Sequence, residues 1–252
     1  MIKIFRKIRH KMLFQERTAK YLLYALGEIA LVMIGILLAL QVNNWNTANK
    51  EKQELHDYLG KIRNNVNKDI VTLDSMKMKR LEINATAQTA LANFMERRED
   101  YQVNLQTLDA FVEFYFVPNQ SGYEALKNST YLGKINGMRI DSLLDDYNAI
   151  VNSIIKEEAG YNTFIENMEL RLLVNHDITP LLSLFGIDDP IKQKIVIETK
   201  EYKAILKPIF EDTIYKSFVI RVGTQTAIFG EYDRLITLGK QIMREIDDLI
   251  KT

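Results

Sequence analysis

The sequence predicts an all-α protein: an N-terminal transmembrane helix that continues into a long helix, followed by an elongated extracytoplasmic helical bundle. Three observations predict it. Tyr21 to Leu40, YLLYALGEIALVMIGILLAL, is an apolar run long enough to cross a bilayer core as a helix, and Glu28 is its one charged residue. Beyond it, apolar residues recur at steps of three and four along most of the chain. No pair of alternating segments joined by a hairpin turn, no repeat and no low-complexity linker interrupts that pattern.

Charge sets the expected orientation. The 252 residues carry no formal net charge, yet residues 1–20 hold Lys3, Arg6, Lys7, Arg9, Lys11, Arg17 and Lys20 against Glu16 alone, a net of +6, so the rest carries −6. A basic flank beside an apolar span marks the cytoplasmic side. The expected division is a basic amphipathic cytoplasmic tail at 1–20, a transmembrane signal anchor at 21–42, and an extracytoplasmic α-helical domain at 43–252. This makes a single-pass membrane protein with its N-terminus inside and its C-terminal domain outside. The apolar run exceeds the h-region of a cleaved signal peptide and no A-x-A site follows it, which favours an uncleaved anchor. The absence of cysteine excludes disulfides, thiol catalysis and thiolate metal sites.

Within the tail, Met1, Ile4, Phe5, Ile8 and Met12 form one helical stripe, with Lys3, Arg6, Lys7, His10 and Lys11 on the other face, so the helix would lie in the cytoplasmic leaflet with its cations on anionic headgroups. In the span, Glu28, Val32, Gly35 and Ala39 share one helix face, and Gly35 and Ala39 form a small-xxx-small pair that allows close helix approach. That face is the candidate transmembrane helix interface, with Glu28 as a hydrogen-bonding member. A protonated or interface-reaching Glu28, or a proton-coupled one, are the alternatives. Tyr21 and Tyr24 at one end and Trp45 at the other are candidate membrane-interface anchors.

KYLLYALGEIALVMIGILLALQVNNWN, preceded by MIKIFRKIRHKML, resembles the N-terminal signature of a bacterial family of single-pass membrane proteins that is a domain of unknown function. Tyr123 to Ser129 and Tyr131 to Ile135 are similar to later family segments. The resemblance implies an all-α architecture and a bacterial inner-membrane location, which with the charge asymmetry puts the N-terminus in the cytoplasm and the C-terminal domain in the periplasm, and it brings no activity.

After the span, Leu55, Leu59, Ile62, Val66, Ile70, Leu73 and Met76 predict a helix running to about Arg97, able to pair with a second copy as a coiled coil or to pack on later helices. A helix is expected over Leu105 to Phe116, stopped by Pro118, then a short one capped by Ser121 and running through Asn128. Phe114, Tyr115, Phe116, Tyr123 and Tyr131 read as an aromatic joint between helices. A long helix is expected from Arg139 to about Val174. Glu158 falls where its stripe calls for an apolar residue; a buried ligand or interaction residue is one reading, and drift of the stripe or an open edge beside Gly160 is the favoured one. Pro190 suits a first helical turn with Asp189 as cap, in a helix ending near Pro208. Two more follow, one beginning at Phe210, Ile214 and Phe218, and a last one carrying Leu235, Leu238, Ile242, Ile246 and Leu249.

The search for chemistry returns nothing: no metal-spaced histidines among His10, His56 and His176, no calcium loop, no phosphate loop, no nucleophile elbow. No catalytic, cofactor-binding or metal site is expected, and no cofactor. The acidic outer region argues against nucleic acid. The reading is a membrane-anchored helical interaction or scaffold protein of the envelope, touching membrane lipid and either a second copy or an envelope protein. The alternatives are a proton-coupled or motor-associated subunit using Glu28, and an extracytoplasmic ligand-sensing bundle.

Overall fold

The computed structural model of the protein describes residues 18–184, 187 and 189–251. Its elements are α1 (Thr18–Met95), α2 (Tyr101–Gln106), α3 (Ser121–Lys127), α4 (Leu132–Ile135), α5 (Arg139–Asn175), α6 (Pro190–Ile197), α7 (Lys200–Glu211), α8 (Thr213–Thr224) and α9 (Ala227–Lys251), with 3-10 turns at Thr107–Phe111 and Thr179–Ser183. No strand occurs among the described residues, so the protein is all-α. The chain divides into two compact units, Met1–Asp57 and Tyr58–Thr252.

In the first unit, residues 22–42 are helical, and apart from Tyr24 and Ala25 every side chain there is exposed, including Leu23, Leu31, Ile34 and Leu38. The helix is long and apolar enough to cross a membrane.

In the second unit, register follows from a few polar pairs. The Tyr147 hydroxyl donates to Asp69 Oδ2 at 3.0 Å, and Arg80 lies 3.7 Å from Glu158. Both pairs are separated by 78 residues, so α5 runs parallel to the 58–95 portion of α1. Arg63 pairs with Asp247 and Lys77 with Asp233, so α9 runs antiparallel to α1. Gly223 of α8 sits against Ala87, ten residues on from Lys77 as it is ten residues back from Asp233. α8 and α9 therefore form one antiparallel arm in a single register, broken at residues 225–226. The break is satisfied from α1: the Asn84 amide donates to the Val222 carbonyl at 2.8 Å, and the Gln88 amide to that of Gly223 at 3.3 Å. These carbonyls belong to the last turn of α8, where no intrahelical donor follows. Apart from those polar groups the seam is apolar and buried: it holds Leu59, Ile62, Val66, Leu73, Ile83, Ala87 and Ala90 of α1, Leu144, Val151, Ile154 and Ile165 of α5, and Tyr232, Leu235, Ile242 and Ile246 of α9.

Three expected boundaries move. The helix expected over Leu105 to Phe116 is α2 plus a 3-10 turn ending at Phe111, and residues 112–120 are irregular, leaving the turn in an extended conformation at Val112. There the Phe116 and Asn119 N–H groups donate to carboxylates on α5 and α1, at 2.6 and 2.9 Å, instead of to helical carbonyls. The short helix α3 is capped by Asn65 of α1, whose Oδ1 accepts from the Gly122 N–H at 2.9 Å; Ser121 is its first residue and not its cap. The segment expected as one helix from Pro190 to Pro208 is two. Asp189 caps α6 as expected, but Thr199 starts α7 by accepting from the Tyr202 N–H, and Pro208 lies inside α7. α1 ends at Met95, where Arg97 takes a left-handed φ of 56° and the Arg98 N–H reaches back to the Asn93 carbonyl at 2.9 Å. This is a Schellman-type ending in a position that favours glycine.

Gly122 is required by contact. A Cβ there would sit 2.7 Å from the Ile62 backbone nitrogen and 2.9 Å from the Lys61 carbonyl carbon. Gly122→Ala should destabilise the protein by about 1–3 kcal/mol, since backbone cannot yield as a side chain can. Gly160, mid-helix in α5 with open space around it, predicts the opposite sign: Gly160→Ala should stabilise by about 0.5–1 kcal/mol. Urea unfolding followed by helicity measures both.

Candidate functional site

The strongest concentration of buried polarity lies where α1, α5 and α9 meet. Arg80 and Glu158 are 6 % and 3 % exposed. Glu158 accepts from the Phe116 N–H through Oε2 and from the Tyr232 hydroxyl through Oε1. Arg80 Nη2 lies 3.7 Å from Glu158 and donates to the Phe114 carbonyl at 3.4 Å, and that carbonyl also accepts from the Asn162 amide at 2.9 Å. The guanidinium stacks near the rings of Phe114 and Tyr161, 4.7 and 5.3 Å from their centroids. Burial pushes the Glu158 carboxyl above the usual carboxylate range, against the opposing pull of Tyr232, the Phe116 N–H and Arg80. Burial likewise pushes the Tyr232 hydroxyl far up, so it stays a neutral donor.

Three turns along α1, counted back toward Tyr58, Asp69 does the same task. It is 1 % exposed and accepts from the Asn119 N–H at 2.9 Å, the Asn119 amide at 2.6 Å and the Tyr147 hydroxyl at 3.0 Å. The two carboxylates thus hold segment 112–120, Glu158 at its middle and Asp69 near its end.

The geometry allows little else. The cavity beside Arg80, lined also by Asn84, Phe114, Tyr161 and Gln225, has a volume of about 20 Å³, room for one water-sized group. No side chain lining it pairs a nucleophile with a base. The arrangement is a clamp on backbone N–H groups. His176 joins a second polar pair: its Nε2 is 2.7 Å from Asp212 Oδ2, and Asp212 also caps α8 through the Ile214 N–H at 2.7 Å. That N–H, with His176 next, holds the Asp212 carboxyl below its usual range. Among the described residues no group of histidines and carboxylates is placed to hold a metal ion.

The sequence-derived site residues lie elsewhere. Glu28, Val32, Gly35 and Ala39 are exposed on α1, and a Cβ on Gly35 would meet nothing within 4 Å. Tyr24 is half-buried and Trp45 is 68 % exposed. Lys20 and Tyr21 are helical, their side chains outside the description, and Lys3, Arg6, Lys7, Arg9, Lys11 and Arg17 fall outside the described residues. Of the aromatic joint, Phe116 is buried and Phe114 half-buried, while Tyr115 points outward. Glu158, read as drift or an open edge, is instead fully interior. Asp69, Arg80 and Tyr232 were not singled out from sequence at all, although all stand on apolar stripes.

Fold and site together define an all-α protein with an N-terminal helix able to cross a membrane and a helical unit closed around buried carboxylates. The profile of a family of unknown function, DUF6090, matches residues 28–173, and the chain belongs to that family. No curated protein and no solved structure matches it. The matched span holds Glu28, Asp69, Arg80, segment 112–120 and Glu158; Tyr232 lies beyond it.

Arg80→Met, which strands a buried carboxylate, should cost about 3–5 kcal/mol of stability in urea unfolding. pH separates the two kinds of carboxylate. The folded state binds the Glu158 proton more tightly than the unfolded chain does, so the stability tied to that group is full in acid and falls as pH rises through the raised value. The stability of the wild type relative to Glu158→Gln should therefore decline from acid toward neutral pH. Asp212 has the opposite sign. Its contribution is present above the ordinary carboxylate range and is lost as pH falls through its lowered value, so the difference between wild type and Asp212→Ala should shrink in acid.

Proposed function

We propose that this protein is a membrane-anchored helical interaction or scaffold protein of the bacterial envelope, without catalytic activity, its N-terminus cytoplasmic and its C-terminal domain periplasmic. One observation carries the membrane part: along residues 22–42 the apolar side chains are exposed all round the helix, a surface that water disfavours and a bilayer accommodates. The basic residues before it support the orientation. The interaction part rests on the second unit. Its buried carboxylates, Asp69 and Glu158, are committed to holding its own backbone, and its surface and the exposed Glu28–Ala39 face of the span are the places where partners fit. A second copy of the chain or another envelope protein fits that face, alongside lipid.

Alkaline phosphatase fused after Thr252 should be active, and the protein should resist carbonate extraction from membranes. An inactive fusion or release by carbonate overturns the placement. Gly35→Leu should lower crosslinked recovery of the partner or second copy severalfold, because a large side chain separates the helices. Glu28→Gln, which keeps hydrogen-bonding capacity, should leave recovery near wild type. Recovery lost with Glu28→Gln and kept with Gly35→Leu would favour a proton-coupled Glu28 over a packing face.

A further inference from the structure

Where α1 ends, the second unit opens a cleft of about 420 Å³. Its floor is aromatic. Phe94, Tyr101 and Phe210 line it, tied together by ring contacts: Tyr101 and Phe210 at 6.1 Å, Phe210 and Tyr215 at 4.8 Å, Phe94 and Tyr215 at 6.1 Å. Its rim is cationic. Two of the rim cations are neutralised, Arg98 by Glu96, and Lys207 by Glu99 at 2.9 Å and Glu211 at 3.6 Å. Two are not: neither Arg97, at the end of α1, nor Lys216, on α8, makes an ion pair among the described residues. This occurs in a unit with 24 basic and 28 acidic residues, a net of −4, where acidic partners are plentiful. Arg97 is held there at a backbone cost, since its φ of 56° is the left-handed conformation that glycine adopts without penalty. In the floor, Asn104 is 7 % exposed, and its side-chain oxygen has no hydrogen-bond partner among the described residues. The Thr107 and Tyr215 hydroxyls fix its backbone carbonyl at 2.6 and 3.0 Å.

We propose that this cleft binds a small organic anion with an aromatic body, the anionic group between Arg97 and Lys216 and the ring on the Phe94–Tyr101–Phe210 floor. Cations without partners on opposite elements attract carboxylate or phosphate, and an aromatic floor removes a flat apolar ring from water. The Asn104 amide is the floor group with unused hydrogen-bonding capacity, and it suits a ring that also carries a hydroxyl.

The test uses the full chain in zwitterionic nanodiscs, with 4-hydroxybenzoate as probe, followed by calorimetry and ligand-observed NMR against empty nanodiscs. Saturable binding that weakens with salt is expected. 4-Hydroxybenzamide, with the same ring and no charge, and inorganic phosphate, with charge and no ring, should each bind at least tenfold more weakly. Arg97→Gly removes a cation and relieves the backbone, so its stability should match or exceed wild type while affinity falls about tenfold. Lys216→Met should weaken binding to a similar degree. No saturable binding of 4-hydroxybenzoate, equal binding of the benzamide, or unchanged affinity in a folded Arg97→Gly chain each overturns the proposal.

Discussion

The second unit depends on two carboxylates placed inside an apolar seam. Asp69 and Glu158 are the groups that the irregular segment 112–120 hangs from, and that segment joins the 3-10 turn after α2 to α3. A non-helical segment lying against helices has backbone N–H groups with neither a helix nor a ladder to satisfy them. Burying them unpaired is unfavourable, and a neutral side-chain acceptor makes a weaker bond than a carboxylate. The sequence meets this with one acidic residue from each of the two helices that flank the segment. Each carboxylate is then satisfied on its other side by a tyrosine, Tyr147 for Asp69 and Tyr232 for Glu158, whose hydroxyls burial keeps neutral.

The same constraint fixes register. A helix pair joined only by leucine, valine and isoleucine can slide by a heptad at modest loss. A buried charge cannot slide, because each alternative register strands it. Asp69 with Tyr147 and Arg80 with Glu158 share one offset eleven residues apart, about three turns of helix, so α1 and α5 are locked at two points on one face. Arg63–Asp247 and Lys77–Asp233 repeat a single antiparallel register for α9, but at the surface, where ion pairs contribute little. The interior pairs choose the arrangement, and the surface pairs agree with it.

How much of this was readable beforehand follows from what local pattern can encode. The long helices were readable, because three-four spacing is a property of the segment itself. So was Asp189 as a cap, which acts within four residues. Segment 112–120 was not: Leu105, Leu108, Phe111, Val112 and Tyr115 keep helical spacing, yet the N–H groups beyond them find acceptors 42 and 50 residues away. The clamp did leave a trace. Leu59, Val66, Leu73, Arg80 and Ala87 form one row of sevens, and Ile62, Asp69, Met76, Ile83 and Ala90 a second, so Arg80 and Asp69 stand out as charges on a buried seam. Leu144, Val151, Glu158, Ile165 and Leu172 form a third such row. Treating Glu158 as drift in the stripe missed this, since the row resumes undisturbed after it. Three ionisable residues on three apolar rows of parallel helices are better read as one buried network than as three faults. Arg97 carried no signal, because a left-handed residue at a helix end is expected to be glycine.

The family match and the folded unit do not share a boundary, and packing says which is the physical unit. Residues 28–173 cover α1 from Glu28 onward and α5 up to Leu173, but none of α6 to α9. Without that arm Glu158 loses the Tyr232 hydroxyl, and Val66 and Ile70 lose the close approach of Gly239, whose Cβ position lies 2.9 and 3.1 Å from their methyl groups. Asn84 loses the Val222 carbonyl, and Ala87 loses Gly223. Leu73, Val151 and Ile154, each no more than 1 % exposed, sit in the seam that α9 closes. Two parallel helices with a charged seam open to water on one side do not bury enough apolar surface to hold Asp69 and Glu158 dry. The structural unit therefore runs from Tyr58 to the end of α9. The matched segment supplies the charges and the C-terminal arm supplies the burial that gives those charges their structural effect.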